Sequence, residues 1–154
     1  MHKILFVCLG NICRSPAAEG VFRHLVEQEG VADQFEIDSC GITGFHAGEK
    51  ADLRMRDHAS RRGIDLTSIS RKFRQQDFED FDLIIAMDGR NFKDLRELDE
   101  VGQYTDKIKM FCEYCTNRTE SEVPDPYYGG AEGFETVLDI VEDASEGLLK
   151  SLLK

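Results

Sequence analysis

The stretch Val7-Cys8-Leu9-Gly10-Asn11-Ile12-Cys13-Arg14-Ser15-Pro16 sets a cysteine and an arginine with five residues between them at a change of secondary structure. Before it, Ile4 to Val7 is a short apolar run of strand type. After it, Ala18, Val21, Phe22, Leu25 and Val26 recur at three- and four-residue spacings, the stripe of an amphipathic helix. A strand, a tight loop and a helix N-terminus therefore follow one another within one short span. Such a loop turns converging backbone N–H groups and the positive end of a helix dipole toward one point, so its expected occupant is an anion such as phosphate.

Into that cradle the sequence puts a thiol at the strand end and a guanidinium at the helix start. A helix N-terminus and a nearby Arg lower a cysteine pKa from about 8.5 into a range of roughly 3.5–7.5, so Cys8 is expected as a thiolate nucleophile at neutral pH. Arg14 carries a planar fork of donors able to grip two oxygens of a phosphoryl group and to neutralise charge in a transition state. Ser15 is expected to donate to the thiolate or to cap the helix, and Pro16 fits the first turn because its missing N–H needs no partner there. Gly10 and Asn11 tolerate the positive φ that a tight loop demands. Leu9, Gly10, Asn11, Ile12, Cys13, Arg14 and Ser15 together form the expected phosphate-binding loop.

A second stretch supplies what the first lacks. Val123-Pro124-Asp125-Pro126-Tyr127-Tyr128-Gly129-Gly130 is held as a loop by its prolines and glycines. Asp125, with apolar neighbours favouring its protonated form, suits a general acid that hands a proton to a departing alkoxide-like group. Alone, Asp-Pro-Tyr is a turn; beside the cysteine loop it completes one mechanism.

Composition narrows the rest. The 154 residues suit one domain, and 41% apolar content is ordinary for a soluble globular chain. Thirty acidic against nineteen basic residues give a net charge of −11, which argues against nucleic-acid and anionic-membrane partners. No apolar run is long enough to span a membrane and Met1-His2-Lys3 leads straight into a strand, so a cytoplasmic location is expected. The odd number of cysteines, Cys8, Cys13, Cys40, Cys112 and Cys115, speaks against a disulfide framework. Cys112 and Cys115 form a lone C-x-x-C pair, too few ligands for a tetrahedral zinc site. Cys13 either pairs reversibly with Cys8 or packs beneath the loop.

Along the chain, Phe35 to Ser39 alternates as a second strand, followed by a Gly-rich loop from Cys40 to Gly48 that includes Phe45. Ala51 to Arg62 reads as a helix closed by Gly63, with His58 solvated. Arg71-Lys72-Phe73-Arg74 reads as a solvated basic face, with attraction of an acidic phosphopeptide as the alternative. Asp82 to Met87 is a buried strand, Asp88 an N-cap ahead of a helix bearing Asn91, Phe92 and Leu95, and Lys107 to Phe111 a fourth strand. Phe134 to Leu152 carries a long apolar stripe that should cover one sheet face. Strands alternating with helices predict an α/β fold: a parallel four-stranded sheet with helices on both faces.

On the Val7 to Ser15 signature the chain resembles the low-molecular-weight protein tyrosine phosphatases, and the resemblance extends over essentially its whole length. It implies the strand order 2-1-3-4, a cysteinyl-phosphate intermediate, Asp125 as general acid and then base, and no metal or other cofactor. It also implies a substrate pocket at Ile12, Phe45, Tyr127 and Tyr128, and supporting polar groups at Ser15, Ser39, Asp88 and Asn91. Tyrosine-phosphorylated proteins are the implied substrates of a chain expected as a monomer, with Tyr127 and Tyr128 available for weak self-association. One departure stands out: Ser68 occupies the place where the family usually has a histidine supporting the loop Asn, so either its hydroxyl acts through water or Asn11 is held another way. Three rivals use the same loop. Arginine phosphatases on this scaffold typically carry a smaller, hydroxylated residue where Ile12 stands. Arsenate reductases need relay cysteines, which Cys112 and Cys115 match poorly. A phosphopeptide-binding module needs neither thiolate nor acid.

Overall fold

The computed structural model describes residues 1–126 and 130–153. Along it run β1 (His2–Cys8), α1 (Arg14–Gln28), β2 (Phe35–Gly41), α2 (Leu53–Ser60), the one-turn α3 (Asp77–Asp80), β3 (Leu83–Ala86), α4 (Gly89–Leu98), β4 (Ile108–Met110) and α5 (Ala131–Leu152). The strands pair in parallel in the order β2-β1-β3-β4, as expected. Val7 stands opposite Cys40 on one side and Ala86 on the other, so β1 is central.

A central strand covered on both faces should be apolar throughout, and Ile4, Leu5, Phe6 and Val7 are all fully buried. Successive side chains of a strand point to opposite faces. Accordingly Ile4, Phe6 and Cys8 join a core built from α1, α2 and α5, while Leu5 and Val7 join one built from Phe73, Phe78, Phe81 and Leu95 on the α3 and α4 side. Phe6 lies between Phe22 and Phe111, with ring centroids 6.0 and 5.1 Å away. Burying each such side chain contributes about 1.5–3 kcal/mol. The stripe of α5 is buried from Phe134 to Leu149. Its close seat needs Gly147, where a Cβ would lie 1.8 Å from the Tyr114 carbonyl oxygen.

Three expectations change. The second strand runs two residues past Ser39, because Cys40 and Gly41 continue the ladder opposite Val7 and Cys8, and the 2.8 Å bonds of Gly41 N–H to Arg71 O and of Phe73 N–H to Gly41 O brace its outer edge. His58 is not solvated: α2 packs on α5, leaving His58 7% exposed, stacked 5.4 Å from Phe134 and paired with Glu135. Arg62 extends that seam to Glu135, Asp139 and Glu142 at 2.6, 3.0 and 3.3 Å. Nor is Arg71-Lys72-Phe73-Arg74 a uniformly solvated face, since Arg71 binds Asp38 and Asp77 at 3.0 and 2.9 Å and Phe73 is buried.

Candidate active site

Where β1 ends at Cys8 the chain must reverse before α1 starts at Arg14. Asn11 makes that reversal, with φ of 58°. An Asn side chain offsets the cost of this left-handed backbone through local hydrogen bonds. Here Asn11 Nδ2 donates to Ser15 Oγ at 2.8 Å and Ser39 Oγ at 3.0 Å, and Oδ1 accepts from Arg71 N–H at 3.1 Å. Gly10 keeps negative φ; its smallness serves packing, since a Cβ there would stand 3.1 Å from His46 Cδ2. Ser68 makes no side-chain hydrogen bond among the described residues. The loop is held instead by the Arg71 amide and by Ser70 Oγ, which donates to Gly10 O at 3.1 Å.

The Asn11 N–H reaches Cys8 Sγ at 3.3 Å and Ser15 Oγ stands 3.0 Å from the same sulfur. Ser15 therefore faces the thiol and does not cap α1, whose N-cap position is Cys13. The first helical bond runs from Ala17 N–H to Cys13 O, which leaves the start of α1 directed at the cradle. Ser39 Oγ passes its own hydrogen to Glu19 Oε1 at 2.6 Å, and Arg23 holds Glu19 at 2.8 Å. Burial pushes the Glu19 carboxyl up despite these partners.

Arg14 is 4% exposed. Its Nη1 donates to Asp88 Oδ2 at 2.6 Å and Val123 O at 3.2 Å, and Nη2 lies 3.9 Å from Asp125 Oδ2. Burial opposes the guanidinium charge, but Cys8, Asp88 and Asp125 outweigh it and hold Arg14 above its ordinary value. Asp88 Oδ1 caps α4 by accepting from Asn91 N–H at 2.8 Å. The Asn91 amide is buried with no hydrogen-bond partner among the described residues, so its backbone is what touches the Asp88 group. A backbone relay ties the segments together: Met87 N–H donates to Val7 O at 3.1 Å, and Val123 N–H to Met87 O at 2.8 Å. Residues Cys8, Asp88 and Asp125 follow these three anchors by one, one and two positions.

The result is a cleft of about 270 Å³ bounded by Cys8, Leu9, Gly10, Ile12, Cys13, Arg14, His46 and Asp125. Asp125 is half-exposed at its mouth. Cys13 is a buried free thiol pushed up to about 12 by burial, then by the charges of Asp52, Cys8 and Asp125. Phe45, expected on the pocket wall, stands outside it and is 87% exposed, because the turn through Gly44 to Ala47 sends His46 inward in its place. Nothing in the residue types sets the phase of that turn, so the place of His46 carries no sequence signal. Tyr127 and Tyr128 lie outside the described residues. Cys112 and Cys115 sit by the 3-10 turn Phe111–Tyr114, where Cys115 Sγ points at Ile140 O of α5. Among the described residues no three His, Cys, Asp or Glu side chains are grouped to hold a metal ion.

A family model described as low molecular weight phosphotyrosine protein phosphatase matches residues 3–154. A Synechocystis relative is 47% identical over 152 residues, spanning 99% of this chain and 97% of its own. The low molecular weight phosphotyrosine protein phosphatase of Schizosaccharomyces pombe is 41% identical over 151 residues, with 97% and 96% of the two chains covered. The solved structure of an Entamoeba histolytica protein tyrosine phosphatase with Hepes in its active site superposes with a TM-score of 0.96 at 45% identity, over 99% of this chain and 97% of that one. These likenesses define a cysteine-based phosphatase. The chain belongs to the low molecular weight phosphotyrosine protein phosphatase family.

Proposed function

We propose that this chain hydrolyses phosphotyrosine in proteins by two displacements at Cys8. The observation that carries the reading is the convergence of Cys8, Arg14 and Asp125 on one cleft. Asn11 N–H and Ser15 Oγ stabilise negative charge on the sulfur, so the thiolate attacks phosphorus in line. As the S–P bond forms and the P–O bond breaks, Asp125 gives a proton to the departing phenolate. Arg14 and the loop amides hold the phosphoryl oxygens through both steps. The Asp125 carboxylate then takes a proton from water, whose oxygen attacks the cysteinyl-phosphate, and phosphate leaves as the thiolate is restored.

The nucleophile, the guanidinium and the acid come from one chain, so this trio needs no second copy to assemble. Five free cysteines suit a reducing compartment such as the cytoplasm. The test is turnover of matched phosphotyrosine, phosphoserine and phosphoarginine peptides in excess chelator. Phosphotyrosine is expected to be cleaved and Cys8→Ser to abolish cleavage. Preference for phosphoarginine would replace the substrate; tight binding without turnover would replace the enzyme by a binding module.

A further inference from the structure

Ile12 and His46 form part of the catalytic cleft and also one wall of a second groove, of about 480 Å³, which continues along Glu49, Lys50, Asp52 and Arg56 to the start of α2. A peptide whose phosphotyrosine enters the cleft must lay neighbouring residues along some such surface, because each extended residue advances the chain only about 3.3–3.6 Å.

The charges in this groove are unequal in availability. Asp52 is occupied as the N-cap of α2, accepting from Arg54 N–H at 2.8 Å and Met55 N–H at 3.3 Å, and it pairs with the Arg54 side chain at 3.3 Å. Glu49 is engaged with His46 Nδ1 at 2.9 Å. The two cations have no such partner. Lys50 is exposed and makes no ion pair among the described residues. Arg56 makes none either; its Nε donates to Ala51 O at 2.9 Å, which holds the guanidinium at the groove with donors to spare. In a chain of net charge −11, two uncommitted cations beside the cleft form a local exception.

We propose that Lys50 and Arg56 form a subsite for an acidic side chain flanking the phosphotyrosine of a protein substrate. This deepens the phosphotyrosine reading and rests on it. Arg56 offers a planar fork that suits a carboxylate and Lys50 a mobile point charge. Both act on the peptide, not on the transferred phosphoryl group, so they select substrates without altering the chemistry.

The test measures kcat/KM on p-nitrophenyl phosphate and on phosphotyrosine peptides carrying Glu, Gln or Lys at the flanking positions, for the wild type, Lys50→Glu, Arg56→Glu and Glu49→Gln. Wild type is expected to prefer the Glu peptide, and each charge reversal to lower kcat/KM on it by roughly two- to tenfold, a loss that shrinks with added salt. Glu49→Gln should act in the opposite direction, and the reversed variants should gain on the Lys peptide. All variants should hydrolyse p-nitrophenyl phosphate like wild type, which also shows that they fold. Equal rates on Glu, Gln and Lys peptides, or charge reversals without effect on their ranking, would overturn the subsite. Failure of the wild type on every phosphotyrosine substrate would instead overturn the activity on which it rests; binding of the same peptides to Cys8→Ser then decides whether the groove still ranks them by charge.

Discussion

Asp88 holds Arg14 with one carboxylate oxygen, Oδ2 to Nη1 at 2.6 Å, while its other oxygen caps α4. One side chain therefore fixes both the guanidinium and the helix behind it. Asp88→Ala should lower kcat/KM about 10- to 100-fold, since a displacement of some 1 Å costs that much in positioned catalysis. It should also destabilise the fold by about 1 kcal/mol through the lost cap. Asp88→Asn separates the effects: Asn caps as well as Asp, so stability should hold while activity falls. Equal melting temperatures and equal activity for all three proteins would remove Asp88 from the site.

If Asp125 protonates the leaving group, its removal must matter in proportion to the basicity of that group. Asp125→Asn should reduce kcat on a phosphotyrosine peptide by about 10²- to 10⁴-fold. The loss on p-nitrophenyl phosphate, whose leaving group needs little help, should be far smaller. Identical losses on the two substrates would mean that Asp125 acts only through Arg14.

Cys8 and Cys13 share one cleft but differ in chemistry. Burial and the charges of Asp52, Cys8 and Asp125 push the Cys13 thiol up to about 12. At pH 7 its thiolate fraction is on the order of 10⁻⁵, and only the thiolate is alkylated. One equivalent of iodoacetate should label Cys8 and spare Cys13, and inorganic phosphate should protect the labelled site. Peptide mapping that finds Cys13 labelled at a comparable rate would contradict this ordering.

The polar chain behind the thiol ends at Glu19, 4% exposed, whose carboxyl burial raises above the usual 4.5. A carboxyl raised in the folded state binds more protons than in the unfolded chain. Its contribution to stability is therefore present at low pH and is lost as pH rises from about 4.5 through the folded value. Glu19→Gln lacks this titration. The melting temperature of the wild type relative to Glu19→Gln should fall as pH is raised across that window; a difference that stays constant with pH would show that Glu19 does not titrate there.

The parts of the fold that repeat were legible. The unbroken apolar run of β1 and the three- and four-residue spacings in α1 and α5 are set by which faces are buried, and the chain states them directly. The α3 turn carries no period. It forms because Asp77 accepts the Arg74 N–H at 2.8 Å and draws in Arg71, short-range polar contacts that no hydrophobic spacing announces. His58 and Gly147 were unreadable for another reason: one looks like a surface residue and the other like a helix defect until α5 is laid beside α2 and Tyr114. In the site, Cys8, Arg14 and Asp125 could be named because their chemistry is unusual. Which of Phe45 and His46 turns inward depended on the phase of a turn, and the support lost at Ser68 was supplied by Ser70 and the Arg71 amide, groups whose residue types gave no sign of it.

The backbone relay from Val7 through Met87 to Val123, closed by Arg14 on the Val123 carbonyl, has a consequence for how the molecule fails. Cys8 and Arg14 are both tied through these bonds to the centre of the sheet, which couples the cleft to the frame that carries it. Loss of catalysis on heating or in denaturant should coincide with cooperative collapse of the whole sheet, and the enzyme should pass from fully competent to unfolded with no populated form that is folded yet disarmed.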